Sequence, residues 1–485
     1  MQTRDVDVAI IGAGTAGLAA YRAAKQYTQN VVIIEGGPYG TTCARVGCMP
    51  SKLLISAANA AYIHKTTHLF GVDYPAPQLR EKDIFQRIRS ERDRFSGFVV
   101  ESVENFPEQD RIRGYAKFLS DNQLSVALND NAEELIVNAQ RIVIATGSRP
   151  SIIPFMEAAG DKLLVNDDVF ELETLPKKVV VFGPGVIGLE LGQALHRLGV
   201  EITMLGVGGA LGPLSDPEIK SYAYEHFNEE FYLDIDAKVE TVSREDEHVL
   251  VSYQHKTRGF VTDSFDYLIA ATGRRPNIDK LDIEKTSLEL TERGMPIFDE
   301  FSMRCGKSNI FIAGDVNNFR PLLHEAADEG KIAGENAGRY PDVRAGKRRT
   351  SLGVVFSEPQ IATVGLNLNQ VKERCQQCYA EGSVSFEDQG RSRVMGVNHG
   401  LLKVYGEQGT GLFLGAEMFG PAAEHIAHLL SWSVQMRMTV SQMLEMPFYH
   451  PVIEEGVRTA LRDLNHKLQI GPEVIERCLD CGPGA

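Results

Sequence analysis

A chain of 485 residues is long enough for about three domains, and 43% hydrophobic content gives each the material for a core. Lysine and arginine number 50 against 65 aspartate and glutamate, a net charge of −15, which argues against a general nucleic-acid or membrane-surface partner. With an odd seven cysteines, no apolar run near the ~20 residues of a membrane span, and no room before the first strand for a signal peptide, a cytoplasmic protein is expected.

The first element pair is VDVAIIGAGTAGLAAYRAAK, which reads as a buried strand, a glycine turn and a helix. Gly12, Gly14 and Gly17 have the G-x-G-x-x-G spacing. In such a turn the first glycine permits the tight bend and the second lets a pyrophosphate approach the backbone. The third lets the helix pack on the strand. The next strand, VVIIE, ends in Glu35, where an acid takes a ribose hydroxyl. Glycines alone mark ordinary turns, but strand, turn, helix and acid together indicate a dinucleotide.

GTTCARVGCMPSK follows, residues 40–52, with Cys43 and Cys48 separated by four residues and standing before the helix-like run SKLLISAANAAYIH. Two thiols at this spacing can close a disulfide across one loop, and a helix N-terminus at Cys48 stabilises a thiolate. Read alone, the pair also fits two core cysteines or half of a metal site. No matching Cys or His pair stands nearby, and Gly47 with Pro50 suits a constrained turn, so the redox reading is preferred.

A second strand–glycine–helix unit, KKVVVFGPGVIGLELGQALHRLGVEITML, carries Gly183, Gly185 and Gly188. Two echoes accompany the units, IVIATGSRP at 142–150 and LIAATGRRP at 268–276, and their Thr146, Gly147 and Gly273 are taken as cofactor-binding. Two dinucleotide sites imply that one cofactor feeds electrons to another. From about residue 350 the pattern becomes strand-like, in SLGVVFSEPQIATVG and GLLKVYGEQGTGLFLGAEMFG, and then helical, in PAAEHIAHLLSWSVQMRM and EEGVRTALRDLNHKL. That arrangement indicates an α+β domain. Two further pairs, Cys375/Cys378 and Cys478/Cys481, stand outside the redox segment and fit either a metal or redox role or exposed adventitious thiols.

Taken in order, these motifs resemble those of the flavoprotein pyridine nucleotide-disulfide oxidoreductases over nearly the full length. The cysteine segment is similar to the family's G-G-T-C-x-N-x-G-C-x-P-S-K. FIAGDV at 311–316 resembles the turn whose acid, here Asp315 after Gly314, holds the FAD ribityl chain. LLHEAADEG at 322–330 resembles the segment beside the flavin ring, and FYHPVIEE at 448–455 resembles the C-terminal motif with its His and Glu five apart, here His450 and Glu455.

The resemblance implies an α/β fold of two Rossmann-like dinucleotide-binding domains and a C-terminal α+β dimerisation domain. Residues 1–150 and 275–348 would bind FAD, 151–274 NAD or NADP, and 349–485 would form the interface of a homodimer. It implies that Cys48 faces the flavin and Cys43 the external dithiol or disulfide, with His450 as base and Glu455 orienting it. Each active site would take its His and Glu from the partner chain. Lys52 and Glu190 would pair beside the flavin. Val186, where glutathione reductases carry a Tyr, and the AADEG run place the chain nearest dihydrolipoamide dehydrogenase. Metal-ion reduction of the mercuric type, another low-molecular-weight disulfide as substrate, and service as a flavoprotein subunit of a larger complex are the rival expectations.

Two departures stand in the loop. Thr41 replaces a family glycine and Arg45 the usual asparagine, a cation that either acts on a thiolate or substrate anion or faces solvent. In the second unit, VEITML runs into Gly206 with neither the acid that favours NAD nor the arginine that favours NADP, so NAD is only weakly preferred.

Overall fold

The computed structural model describes residues 2–130 and 133–469. Gln2–Ile11 (β1), Thr15–Ala24 (α1) and Val31–Glu35 (β2) open the first unit. Val8, Ala9 and Ile10 are all fully buried, since a parallel strand covered on both faces hides consecutive side chains. Thr42–Val46 (α2) and Cys48–Tyr62 (α3) carry the two cysteines, with Glu81–Glu104 (α4) packed against both. Arg111–Ser120 (β3), Gln123–Leu128 (β4) and Glu134–Ile144 (β5) form an antiparallel meander, and β5 returns parallel to β1. Ser148–Pro150 (β6) leaves this sheet.

The second unit contains Leu163–Leu164 (β7), Asn166–Val169 (α5), Lys178–Phe182 (β8), Val186–Arg197 (α6), Glu201–Leu205 (β9), Pro217–Glu230 (α7) and Tyr232–Asp234 (β10). Val239–Glu245 (β11), His248–His255 (β12) and Gly259–Phe265 (β13) form a separate meander before Tyr267–Ala270 (β14). The parallel sheet runs β10-β9-β8-β14-β7. Arg274–Pro276 (β15) then pairs antiparallel with β6, Arg275 opposite Arg149, so the two Ala-Thr-Gly echoes are joined to each other. Ile310–Ile312 (β16) rejoins the first sheet beside β5. Leu323–Arg339 (α8) crosses α1 at backbone distance: a Cβ on Gly330 or Gly334 would collide with the Ala16 or Ala20 carbonyl.

The last unit contains Leu352–Val355 (β17), Gln360–Gly365 (β18), Leu368–Cys375 (α9), Tyr379–Ser385 (β19), Gly390–Met395 (α10), Leu401–Glu407 (β20), Phe413–Gly420 (β21), Ala423–Gln435 (α11), Val440–Leu444 (α12) and Glu455–Lys467 (α13). Its antiparallel sheet, β17-β18-β21-β20-β19, buries one face under α11 and α13. On α11 and its C-cap, Leu429, Trp432 and Met436 share one face and stay exposed, Trp432 at 67%. No helix among the described residues is long and apolar enough to cross a membrane.

Candidate active site

The cysteine loop is shaped by its backbone. Gly40 has φ +118, and a side chain there would collide with Ser96 and stand 2.9 Å from Arg45 Cδ. Thr41 has φ 55 and ψ 151, a region close to glycine-only, which accounts for the family glycine at this place. A β-branched residue held there stores about 1–3 kcal/mol of strain. Its hydroxyl offsets a little of this by accepting from the Ala44 N–H at 3.4 Å. Gly47 then starts α3 without a side chain, where a Cβ would stand 3.2 Å from Cys43 Cα.

Cys48 is the first residue of α3, and both cysteines are free thiols. Their sulfurs share a hydrogen bond that sorts the protons. That bond, with help from the Lys52 ammonium, pulls the Cys48 thiol down to about 7 against the opposing effect of packing on its protein side. The same bond, and then burial, push the Cys43 thiol well above its ordinary range. The reduced pair is therefore a Cys48 thiolate accepting from a Cys43 thiol.

Lys52 lies one helical turn after Cys48 and binds Glu190 of α6 through both carboxylate oxygens, at 2.7 and 2.8 Å. Glu190 is 5% exposed and Lys52 32%. Ser51 Oγ donates to the same carboxylate at 3.2 Å and the Phe356 N–H at 3.1 Å, so three units of the fold meet on one anion. The Lys52 ammonium also sits 4.3 Å from the Phe356 ring centroid.

Two cradles flank this centre. Gly12 and Gly183 have φ +107 and +104, and side chains on them would collide with the Ala145 and Ala271 carbonyls. Gly17 and Gly188 face the Gly12 and Gly183 carbonyls with no room for a methyl group. Gly14 and Gly185 have nothing within 4 Å of a Cβ position, the open ground at a helix start that a pyrophosphate needs. Glu35 accepts from the Ala13 and Gly37 N–H groups at 2.9 and 2.8 Å, which fixes it at the edge of the first cradle. Gly147 and Gly273, φ +68 and +96, are likewise open, and Thr146 Oγ1 donates to the Asn277 carbonyl at 2.7 Å.

Asp315 follows Gly314, φ +80, and accepts from Ser148 Oγ at 2.8 Å. A fully buried Glu329 holds this turn, accepting from the Gly314 N–H at 2.8 Å and from Asn317 Nδ2 at 2.7 Å. Arg348 neutralises Glu329 at 2.9 Å and Glu325 at 2.8 Å. Neither Glu329 nor Arg348 follows from motif reading; an acid inside an apolar helix face was the available signal. Both cradles fit dinucleotides on steric and backbone grounds.

The missing acid of the second unit also has a reason. A Cβ on Gly206 would lie 2.6 Å from Pro184 Cδ, so the proline of the glycine turn occupies that space. An acid arrives from the turn after β10 instead: Asp236 Oδ1 accepts from the Gly208 N–H at 2.9 Å.

His450 stands apart from the cysteines. Its Nδ1 is 3.1 Å from both Glu455 oxygens, and the bond holds the Glu455 carboxyl below its usual range. The ring is 81% exposed, and among the described residues no hydrogen bond joins it to either thiol. The Arg45 stem covers Gly40, and its charge, after that of Arg274, opposes the burial that raises the Asp167 carboxyl. Asn166, beside it, donates to the Val46 carbonyl at 2.7 Å and pins the cysteine loop. Cys478 and Cys481 lie outside the described residues.

Residues 6–330 match the model of the family described as pyridine nucleotide-disulphide oxidoreductase, and residues 351–461 match its dimerisation domain. A dihydrolipoyl dehydrogenase of Bacillus subtilis is 30% identical over 457 residues, covering 93% of this chain and 94% of that one. A mercuric reductase of Shigella flexneri is 28% identical, covering 94% and 80%. Among solved structures, LpdA of Mycobacterium tuberculosis superposes with a TM-score of 0.80 at 23% identity, covering 95% and 99% of the two chains. The HOCl-induced flavoprotein disulfide reductase RclA of Escherichia coli superposes at 0.77 and 23%, covering 94% and 99%. With two glycine cradles, a close cysteine pair and a dimerisation domain, the chain belongs to the pyridine nucleotide-disulphide oxidoreductases, flavoproteins that use FAD and NAD(P)H.

Proposed function

We propose that the chain carries two electrons from an external dithiol to NAD+ through Cys43 and Cys48, forming substrate disulfide and NADH, with dihydrolipoamide as the substrate type. The observation that carries this reading is the placing of Cys48 at the first position of α3, one helical turn before Lys52, with Cys43 beside it in the same loop. From the oxidised pair, a substrate thiolate attacks Cys43 and displaces Cys48, whose low pKa makes it the better leaving group. The second substrate thiol then attacks the mixed disulfide and releases Cys43, leaving substrate disulfide and the reduced pair. His450 takes the proton of each attacking thiol in turn at Nε2, because Glu455 occupies Nδ1; the first proton passes to solvent and the second to the leaving Cys43 sulfur. Bound FAD supplies the two-electron link between the Cys48 thiolate and the nicotinamide.

Gly12, Gly14, Gly17, Glu35, Thr146, Gly147, Gly314 and Asp315 would hold FAD, with Lys52 and Glu190 beside its ring. Gly183, Gly185, Gly188 and Gly273 would hold the nicotinamide nucleotide. The Asp236 carboxylate at the Gly208 backbone repels a 2′-phosphate, which supports NADH over NADPH. The relatives named dihydrolipoyl dehydrogenase support the substrate type.

Anaerobic titration of the holoenzyme tests the reading. NADH should raise a long-wavelength thiolate-to-flavin absorbance, NADPH should do so far less readily, and Cys48→Ser should abolish it. Simple bleaching of the flavin in the unaltered enzyme would remove the pair from the electron path.

A further inference from the structure

Cys375 and Cys378, at the end of α9, are free thiols, and no third metal-ligating side chain joins them among the described residues. The loop between Cys43 and Cys48 holds a different kind of loose end. Val46 is the last residue of α2, so its carbonyl is one of those a helix C-terminus leaves without an internal donor. The residue four positions on, Pro50 of α3, has no N–H to offer it. The neighbouring Gly47 carbonyl does receive its helical donor, the Ser51 N–H at 3.2 Å.

A side chain from the second unit takes the Val46 carbonyl. Asn166 Nδ2 donates to it at 2.7 Å and to Asp167 Oδ1 at 2.8 Å. Both partners can only accept, so the amide is fixed with its nitrogen toward the loop. Asn166 is 6% exposed, which leaves little room for water to replace it.

The segment that carries Asn166 is a firm base. β7, just before α5, pairs with β14, and Val169 and Phe170 are packed in one core with Val179 and Val181 of β8. From the other side, Arg89 of α4 donates to the Leu172 carbonyl at 2.9 Å, and Glu81 of α4 accepts from the Leu175 N–H at 2.9 Å. Burial raises the Asp167 carboxyl, and the charges of Arg274 and then Arg45 oppose it. Arg274 in turn donates to Ser148 Oγ at 2.8 Å and to the Ser148 carbonyl at 2.7 Å. The second unit therefore meets the cysteine loop at two consecutive residues, Arg45 through charge and Val46 through a hydrogen bond.

We propose that Asn166 is a positioning residue for the redox pair, a strut from the second unit that holds the loop with its two sulfurs at closing distance and so sets how readily the disulfide is reduced. The role rests on the proposed electron path through Cys43 and Cys48. In the dithiol the strut keeps the loop in the shape that the closed disulfide requires. Without it the open form gains loop freedom that the closed form cannot share, and the balance moves toward the dithiol. The step itself is unchanged: an external dithiol gives two electrons and two protons, the S–S bond opens to two thiols, and the external dithiol leaves as a disulfide.

Equilibration of the holoenzyme in mixtures of reduced and oxidised dithiothreitol tests the strut, read by alkylation and mass of the peptide that carries Cys43 and Cys48. Asn166→Ala should be half reduced at a dithiol-to-disulfide ratio about tenfold lower than the unaltered enzyme, ~30 mV for this two-electron couple, with flavin still bound. Asn166→Asp matches the native side chain in size but turns a carboxylate toward two acceptors. It should shift at least as far in the same direction, and it decides if the alanine variant fails to accumulate. A pair that no ratio reduces in the unaltered enzyme would take down the electron path and the strut together. A pair that is reduced there, with both variants at the same midpoint or displaced to higher ratios, would overturn the strut alone.

Discussion

Lys52 serves two anions at once, the Cys48 thiolate and the Glu190 carboxylate, and its removal separates the two roles. In Lys52→Met, the Cys48 pKa should climb from about 7 toward the ordinary 9.0. Alkylation rate against pH reads this directly, because the rate follows the thiolate and its midpoint moves up. The sign for stability follows. A thiol depressed from 9.0 to about 7 contributes stability that is full above 9 and lost as pH falls through 7, so the variant should lose stability mainly on the alkaline side of neutral. Glu190, left without its cation but still accepting from Ser51 and Phe356, adds about 1–3 kcal/mol of destabilisation at neutral pH. An unchanged midpoint would mean that the Cys43 thiol alone sets the Cys48 charge. The sequence made this pair legible only through the family resemblance, because Lys52 and Glu190 stand 138 residues apart in the chain. It did not make Arg45 legible, since the surroundings of a long side chain include Asp167, which lies far outside the motif.

The strand–turn–helix units invite a sharper comparison, since their three glycines do different work. Gly188→Ala drives a methyl group into the Gly183 carbonyl, so it should cost more than ~3 kcal/mol and lower the melting temperature before any nucleotide is added. Gly185→Ala meets nothing within 4 Å, so it should keep the melting temperature and weaken NADH binding alone. Calorimetry of both variants, with and without NADH, separates the two; equal melting losses would sink this division of roles. Both units were readable because tight turn, open approach and close packing all demand glycine at fixed spacing. The acid of the second unit was not readable, because Pro184 fills the space beside Gly206 and Asp236 enters from the turn after β10. The β11–β13 meander was also missed. VETVSRE on β11 shows no fully buried residue, and so carries no apolar alternation to read.

At the scale of the whole molecule, no hydrogen bond among the described residues joins His450 to a cysteine of its own chain. His450 is oriented by Glu455 yet 81% exposed, and the exposed face of Leu429, Trp432 and Met436 lies in the same dimerisation domain. A homodimer joined across that domain would present His450 of the partner subunit to each Cys43. Mixed subunits decide the matter. Cys43→Ser and His450→Ala homodimers should both be inactive, whereas equal amounts dissociated and reassociated at random should recover about a quarter of the unaltered turnover. Half of such dimers are hybrids, and each hybrid holds one complete site, with Cys43 from one chain and His450 from the other. If each histidine served its own chain, every site in a hybrid would lack one group and no activity would return. Trp432, the only tryptophan, gives the control: its emission should shift blue as the dimers re-form, so silence with reassociation shown would place the base within the same chain.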